Sequence, residues 1–524
     1  MAVNRGIDRR TFVKGAGALG VLGASGGLGS FLAGCGGGGE GAATTAAEAA
    51  KAVRGGRAVL ATVDKPVNMD PADAQLYSSL QVYQNIFHKL INVDEEFKFI
   101  PGLASEWTQD DDSTWTLKLV DNAVFHNGEP FTARDVKFSF DRLPKHANGV
   151  FVQAWKSTEV VDDHTVRFHL TGPYGAFEAT LAAIGDMVNE KAVTSADPKL
   201  KPVGCGPYRM SEWVKDDHVT LQRWDKFFKS GKPYLDEVVF RAIGDDTVRL
   251  TGLQTGELDW IQRVPAQRVK ELEGSSDIAS SPGKPYLPDM IMFNCSKPPF
   301  DDPRVRQAVA WLIDRDEIVN LVWFGTAVAA TEAVSDASPW YSGENPYEGG
   351  PDPDRAKALL KQAGLENLQI TFAGQPQVAT QVRTGEVLRS QLAKGGIEMR
   401  IQNYEPAQWF EQLATKKYDL TSTYWSATID PSHLYFPVGY SKSPWNFPVN
   451  QSAKIDAALE KFVYTTDQAV RKAAYPDVVR AVAEEAPFIF LTNESQRYWT
   501  KPKLHGSVPL PSIEIRAEDM WLES

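Results

Sequence analysis

A chain of 524 residues is longer than one hydrophobic core usually supports, so two or more lobes are expected. Its formal net charge of −12 argues against nucleic acid as a partner. No stretch approaches the roughly 20 apolar residues that a spanning helix needs, so no transmembrane segment is expected.

The chain opens with Arg9-Arg10-Thr11-Phe12-Val13-Lys14, a weakly apolar, glycine-interrupted run over 15–32, and Leu32-Ala33-Gly34-Cys35. A charged start, an apolar middle and small residues at the end define a secretory signal. Twin arginines point to the route that exports folded proteins. Leu-Ala-Gly-Cys resembles the lipobox of bacterial lipoproteins, which implies removal of a signal peptide over 1–34 and acylation of Cys35. Residues 35–56, opening on a run of glycines, read as a flexible tether. Losing Arg5, Arg9, Arg10 and Lys14 with only Asp8 makes the remaining body more acidic. The expected membrane contact is therefore the lipid and not a basic patch, with an extracytoplasmic location in the periplasm or at the outer face of the cytoplasmic membrane.

The body reads first as a strand over 57–63, a helix over 77–87 and strands over 91–94 and 115–119. A capped helix then starts at Thr132, and a hairpin with an acidic turn covers 160–170. At 202–208 the texture changes to Gly and Pro, suited to a sharp turn. Strands over 219–223 and 237–242, a helix over 245–253 and a strand over 290–294 follow. Helices over 301–314 and 352–364 share one design, with Asp before Pro at the start, and Gly364 ends the second. Strands over 369–372, 398–403 and 419–424 alternate with helices over 384–394 and 407–415, which implies an α/β lobe with a partly parallel sheet. A helix over 467–484 and a strand over 488–492 close the pattern.

Two cysteines besides Cys35, Cys205 and Cys295, lie in the body. An oxidising compartment permits a bridge between them, while two buried thiols remain the alternative. The cysteine and histidine spacings match no zinc site, and neither metal nor cofactor is expected. A secreted hydrolase with a two-lobed cleft is the competing function; against it, the sequence holds no Gly-x-Ser-x-Gly elbow and no His-Glu-x-x-His helix.

Several stretches together resemble the family 5 extracellular solute-binding proteins of ABC importers, the dipeptide, oligopeptide and nickel binders. They are Asp70-Pro71, the segments 101–107, 125–136 and 202–208, and the helices over 301–314 and 352–364. The resemblance implies a class II, periplasmic-binding-protein-like α/β fold with two lobes. The first lobe is expected over 57–100 and 201–295 with an extra subdomain over 101–200, the second over 296–487, and a C-terminal return over 488–524. It implies a monomeric receptor that captures a small molecule or peptide and delivers it to permease and ATPase subunits. Cys205 and Cys295 both stand where the family often has Thr, which favours their pairing.

The segment Tyr424-Trp425-Ser426-Ala427-Thr428-Ile429-Asp430-Pro431 resembles the family's ligand-binding loop, in which an Asp three positions after Trp pairs with a peptide's α-ammonium. Thr428 stands there. A hydroxyl accepts a hydrogen bond but cannot neutralise a cation, so a neutral or non-peptide polar solute is weighed above a peptide, with nickel complexes last. Trp425 and Tyr424 are candidate ligand walls, Trp425 with a core role as its alternative. Asp430 is either a ligand group or the cap of its Asp-Pro turn. Trp445 and Asn446 lie in a Gly/Ser/Pro-rich loop and are further candidates, while Asn68 and Tyr286 are candidates by position alone.

Overall fold

In a computed structural model, residues 52–74, 76–425 and 429–523 are described. The expected signal peptide, the acylation site Cys35 and Thr428 lie outside them.

An eleven-stranded sheet forms the backbone of the fold. In its first half Arg57–Thr62 lies parallel to Glu237–Ala242 on one side and to Trp260–Ile261 on the other. His218–Arg223 and Tyr208–Val214 continue it in antiparallel fashion. In the second half Leu368–Gly374 lies parallel to both Ile397–Asn403 and Leu420–Tyr424. Helices Ala379–Ala393 and Pro406–Ala414 make the crossovers that parallel strands require.

Two long strands, Ala279–Phe293 and Phe488–Thr500, join the halves. They pair antiparallel from Ala279 opposite Thr500 to Met292 opposite Phe488. Thr500 also pairs with Trp260 of the first half, and Phe293 with Leu420 of the second. Each crossing strand thus pairs with strands of both halves. Phe488 and Phe490 pack in the core of the second half with Tyr435 and Val479. Trp499 packs in the first half with Leu250 and Leu258. The Ser/Pro/Gly/Lys texture of 280–285 conceals the first part of the earlier strand. Register shifts fall between Pro282 and Pro285, Pro285 and Leu287, and Asp289 and Met290; at the prolines the missing N–H interrupts the ladder.

A separate antiparallel sheet orders Ala104–Asp111, Thr114–Leu119, Thr165–Leu170 and Trp155–Asp162 side by side. The helix Ala133–Arg142 packs on it, started by a capping box in which Thr132 and Asp135 satisfy each other's backbone donors. These elements lie within residues 101–200. Helix 77–87 is shorter than expected and ends at Tyr83. Beyond it the chain turns to meet the Gly-Pro stretch: Gly206 N donates to Ile86 O at 2.8 Å and Tyr208 N to Asn85 O at 3.0 Å. A Cβ at Gly204 or Gly206 would run into the Ile86 and Phe87 backbone, so close approach is what requires these glycines.

The expected disulfide is not formed: Cys205 and Cys295 are free thiols. They belong to different cores. Cys205 is buried with Phe125, Phe131 and Val136 under the subdomain, while Cys295 packs at the edge of the second-half core.

Candidate functional site

Parallel strands deliver the loops that follow them to one rim, where α/β proteins hold their ligands. Both halves of the sheet do this here. Asp64 follows the strand Arg57–Thr62, Gln262 and Arg263 follow Trp260–Ile261, and Trp425 follows Leu420–Tyr424. Between the two rims run the crossing strands, which contribute Asp289, Glu494 and Gln496.

Charged and polar side chains converge at this junction. Arg263 Nη2 lies 2.6 Å from Glu494 Oε2, and its guanidinium is 5.8 Å from the centre of the Tyr424 ring. The Tyr77 hydroxyl accepts hydrogen bonds from Gln262 Nε2 and Gln496 Nε2, each at 2.6 Å. Gln81 Nε2 donates to Gln262 Oε1 at 3.1 Å. Asp289 is paired in register with Tyr424, which puts both side chains on one face of the sheet. Tyr424 is 43% exposed, yet desolvation by the surrounding protein raises its hydroxyl above the ordinary range. Burial and the neighbouring Glu494 push the Asp289 carboxyl up to about 8, against the pull of the Met290 amide and Arg263. Burial likewise raises Asp64 against Arg263 and Arg249.

An aromatic series lies beside this group. The Trp425 and Trp445 rings meet edge to face at 5.9 Å, and Trp445 meets Phe151 in the same manner at 5.5 Å. Phe151 comes from the subdomain side, so the series bridges the first and second parts of the chain. Trp425 is anchored by its N–H to Pro288 O at 3.0 Å and packs partly against the second-half core. That packing is the core role given above as its alternative.

The other expected residues have different parts. Asp430 is 2% exposed. Its carboxylate receives Arg471 Nη2 at 2.9 and 3.1 Å and both the N–H and the hydroxyl of Ser432. Asp430 therefore caps a turn and holds a buried ion pair, and its oxygens are already engaged. Asn446 donates to Asn450 O and Ser441 O and accepts from Asn450 N, which makes it the brace of its own loop. Asn68 accepts from Asp70 N at 2.8 Å, a local turn bond. Tyr286 is buried, donates to Glu95 O at 3.0 Å and meets Phe97 edge to face.

Sequence reasoning missed Tyr77, Phe151, Arg263, Asp289, Glu494 and Gln496. For Asp289 a signal existed: it is the lone charge in the apolar run Leu287-Pro288-Asp289-Met290-Ile291-Met292. A carboxylate inside a buried strand is costly unless it is paired and hydrogen-bonded, so its presence there asks for a partner. Arg263 and Tyr77 carry no such mark, because only the fold brings them to the crossing strands.

Residues 98–447 match the family described as bacterial extracellular solute-binding proteins, family 5. The glutathione-binding protein GsiB of Pectobacterium atrosepticum is 28% identical over 481 residues, covering 88% of this chain and 93% of that protein. Among solved structures, the periplasmic binding protein DppA of Helicobacter pylori, in complex with the peptide STSA, superposes with a TM-score of 0.81 at 24% identity. It covers 91% of this chain and 100% of that one. The binding protein AgaA of A. tumefaciens R10, in complex with agropinic acid, gives 0.81 at 25% identity, covering 90% and 99%. The fold is thus the two-lobed one of the periplasmic binding proteins, its halves joined by the crossing strands. The chain belongs to family 5 of the bacterial extracellular solute-binding proteins and captures a solute for an ABC importer.

Proposed function

We propose that this chain is a lipid-anchored receptor, exported by the twin-arginine route and acylated at Cys35, that binds a small polar organic solute between its lobes without altering it. The convergence of Tyr424, Asp289, Arg263 and Glu494 at the junction of the two rims carries this reading. The aromatic series Phe151–Trp445–Trp425 supplies apolar walls, and a few placed polar groups supply orientation, the usual division of labour in a small-molecule site. The lobes divide within the crossing strands, where the irregular pairing at 282–290 gives the hinge. The relatives bind glutathione, a peptide and agropinic acid, all polar organic molecules, and a secreted hydrolase draws no support from them. Among the described residues no helix is long and apolar enough to cross a membrane, and the lipid on Cys35 supplies the attachment.

Thermal-shift screening of peptides, amino-acid conjugates and sugars tests the reading. A solute that raises the melting temperature of the wild type but not of a Tyr424→Ala variant is the expected result. Equal stabilisation of both proteins by every hit would move the site elsewhere.

A further inference from the structure

The charges at the junction do not balance. Arg263 is matched by Glu494 at 2.6 Å. Asp289 has no basic partner within ion-pair distance among the described residues, and the Met290 amide is its hydrogen-bond donor. It is 8% exposed, so water cannot solvate it as it would a surface carboxylate. A carboxylate in that position is costly until a cation arrives. Nearby acceptors are also short of donors. Gln496 Oε1 is buried and unpartnered although its amide nitrogen is committed to Tyr77. The hydroxyl of Thr492, register-paired with Asp289, is buried and unpartnered too.

We propose that Asp289 is the cation-recognising residue of the cleft, and that the solute presents an ammonium group to it. This rests on the solute-binding reading above. The Arg263–Glu494 pair stands beside Asp289 as a fixed, internally neutral element, so the uncompensated carboxylate sets the charge preference. Asp289 takes over the task that Thr428 cannot perform, from a crossing strand and not from the loop after Trp425. The charged groups that act on Asp289 are Glu494 and Arg263, and Tyr424 lies opposite it in register. Of these, Arg263 alone is basic, and it is already paired. Burial, with Glu494 beside it, raises the Asp289 carboxyl to about 8, so capture of an ammonium at neutral pH releases a proton as the ionised form is fixed.

The test compares two panels by thermal shift and calorimetry on the full-length protein. One holds free-amine di- to tetrapeptides, glutathione and polyamines; the other holds their N-acetylated counterparts and neutral oligosaccharides. The expected result is stabilisation by the amine panel, at least a tenfold loss on N-acetylation, and proton release near pH 7 in buffers of different ionisation enthalpy. Asp289→Asn, which keeps the shape, weakens amine binding at least tenfold and removes the proton release. Binding confined to the neutral panel overturns the ammonium proposal and leaves solute capture standing. Amine binding that Asp289→Asn leaves unchanged overturns the role of Asp289. Silence from both panels counts against this inference and the receptor reading together.

Discussion

Arg471 holds the Asp430 carboxylate through Nη2 at 2.9 and 3.1 Å while its Nη1 reaches Gly175 O at 2.9 Å. The guanidinium lies between the Trp340 and Phe462 rings at 4.6 and 4.8 Å. One buried arginine thus ties the turn that follows the candidate binding loop to the subdomain of the first lobe. Ile429 packs into the subdomain core, and His433 lies 3.3 Å from Thr180. The turn at 429–433 is a latch between the subdomain and the second half of the chain.

Removing Asp430 should therefore cost more than removing a surface acid. Burial alone would raise its carboxyl, but Arg471 and His433 overcome this and hold it below the usual range. Asp430→Ala leaves Arg471 buried without a counter-charge, a change that costs about 3–5 kcal/mol. The wild-type contribution is present above the unfolded carboxylate range near pH 4 and fades as pH falls through the depressed native value. Urea unfolding at pH 7 and pH 3 measures both. A loss under 1 kcal/mol at pH 7, or one that grows on acidification, is incompatible with this account.

Gly175 offers a way to loosen the latch without touching charge. Its N–H donates to Val463 O, and its carbonyl receives Arg471 and Gln468. A Cβ there would collide with Thr465 O and the Arg471 side chain. Gly175→Ala should weaken this contact between the subdomain and the second half by the worth of one to three such bonds, about 1–3 kcal/mol. That weakens solute binding roughly ten- to hundredfold if closure is coupled to capture. Small-angle scattering should show a larger radius of gyration. An unchanged affinity with an unchanged radius would refute the latch.

The sequence carried the local elements well, for a physical reason. Asp302 and Asp352 cap their helices by side-chain bonds to Arg304 N and Arg355 N, and Pro303 and Pro353 fill the first turns. Gly364 takes φ +74° just after the second helix. Such signals depend on neighbours in the chain. The crossing strands were half legible, because 290–293 and 488–491 are continuous apolar runs suited to buried strands while 279–288 is broken by prolines and bulges. The site was less legible still. Tyr424, Trp425 and Trp445 stood out as aromatics near a recognisable loop. Asp430, equally prominent there, proved to be claimed by Arg471, a partner 41 residues away. Arg263 and Glu494 meet across 231 residues, a pairing that local pattern cannot encode.

The two body cysteines should remain reduced even outside the cell. Each sits in a different core, and burial pushes the Cys295 thiol up to about 11 and Cys205 higher still, which suppresses the reactive thiolate. A Cys35→Ser protein unfolded without reductant should titrate two thiols, and reductant should not shift its melting temperature. Finding no titratable thiol would restore the bridge.

Asp186 should make the protein less stable as pH rises. It is 5% exposed, and both carboxylate oxygens lack a hydrogen-bond partner. It faces a small cavity of about 20 Å³ with Lys89 and Glu514, which pair with each other. Burial lifts its carboxyl to about 7, with Lys89 opposing and Glu514 reinforcing. An acid raised in the folded state contributes stability that is present below the unfolded value near pH 4 and is lost as pH rises through about 7. Each unit of difference is worth about 1.4 kcal/mol, so the loss amounts to a few kcal/mol. Asp186→Asn removes the ionisation while keeping the shape. Relative to the wild type it should gain stability progressively from about pH 4 to about pH 7 and level off above that in urea unfolding. A gap between the two proteins that does not change with pH would mean that Asp186 titrates no differently in the folded and unfolded chains.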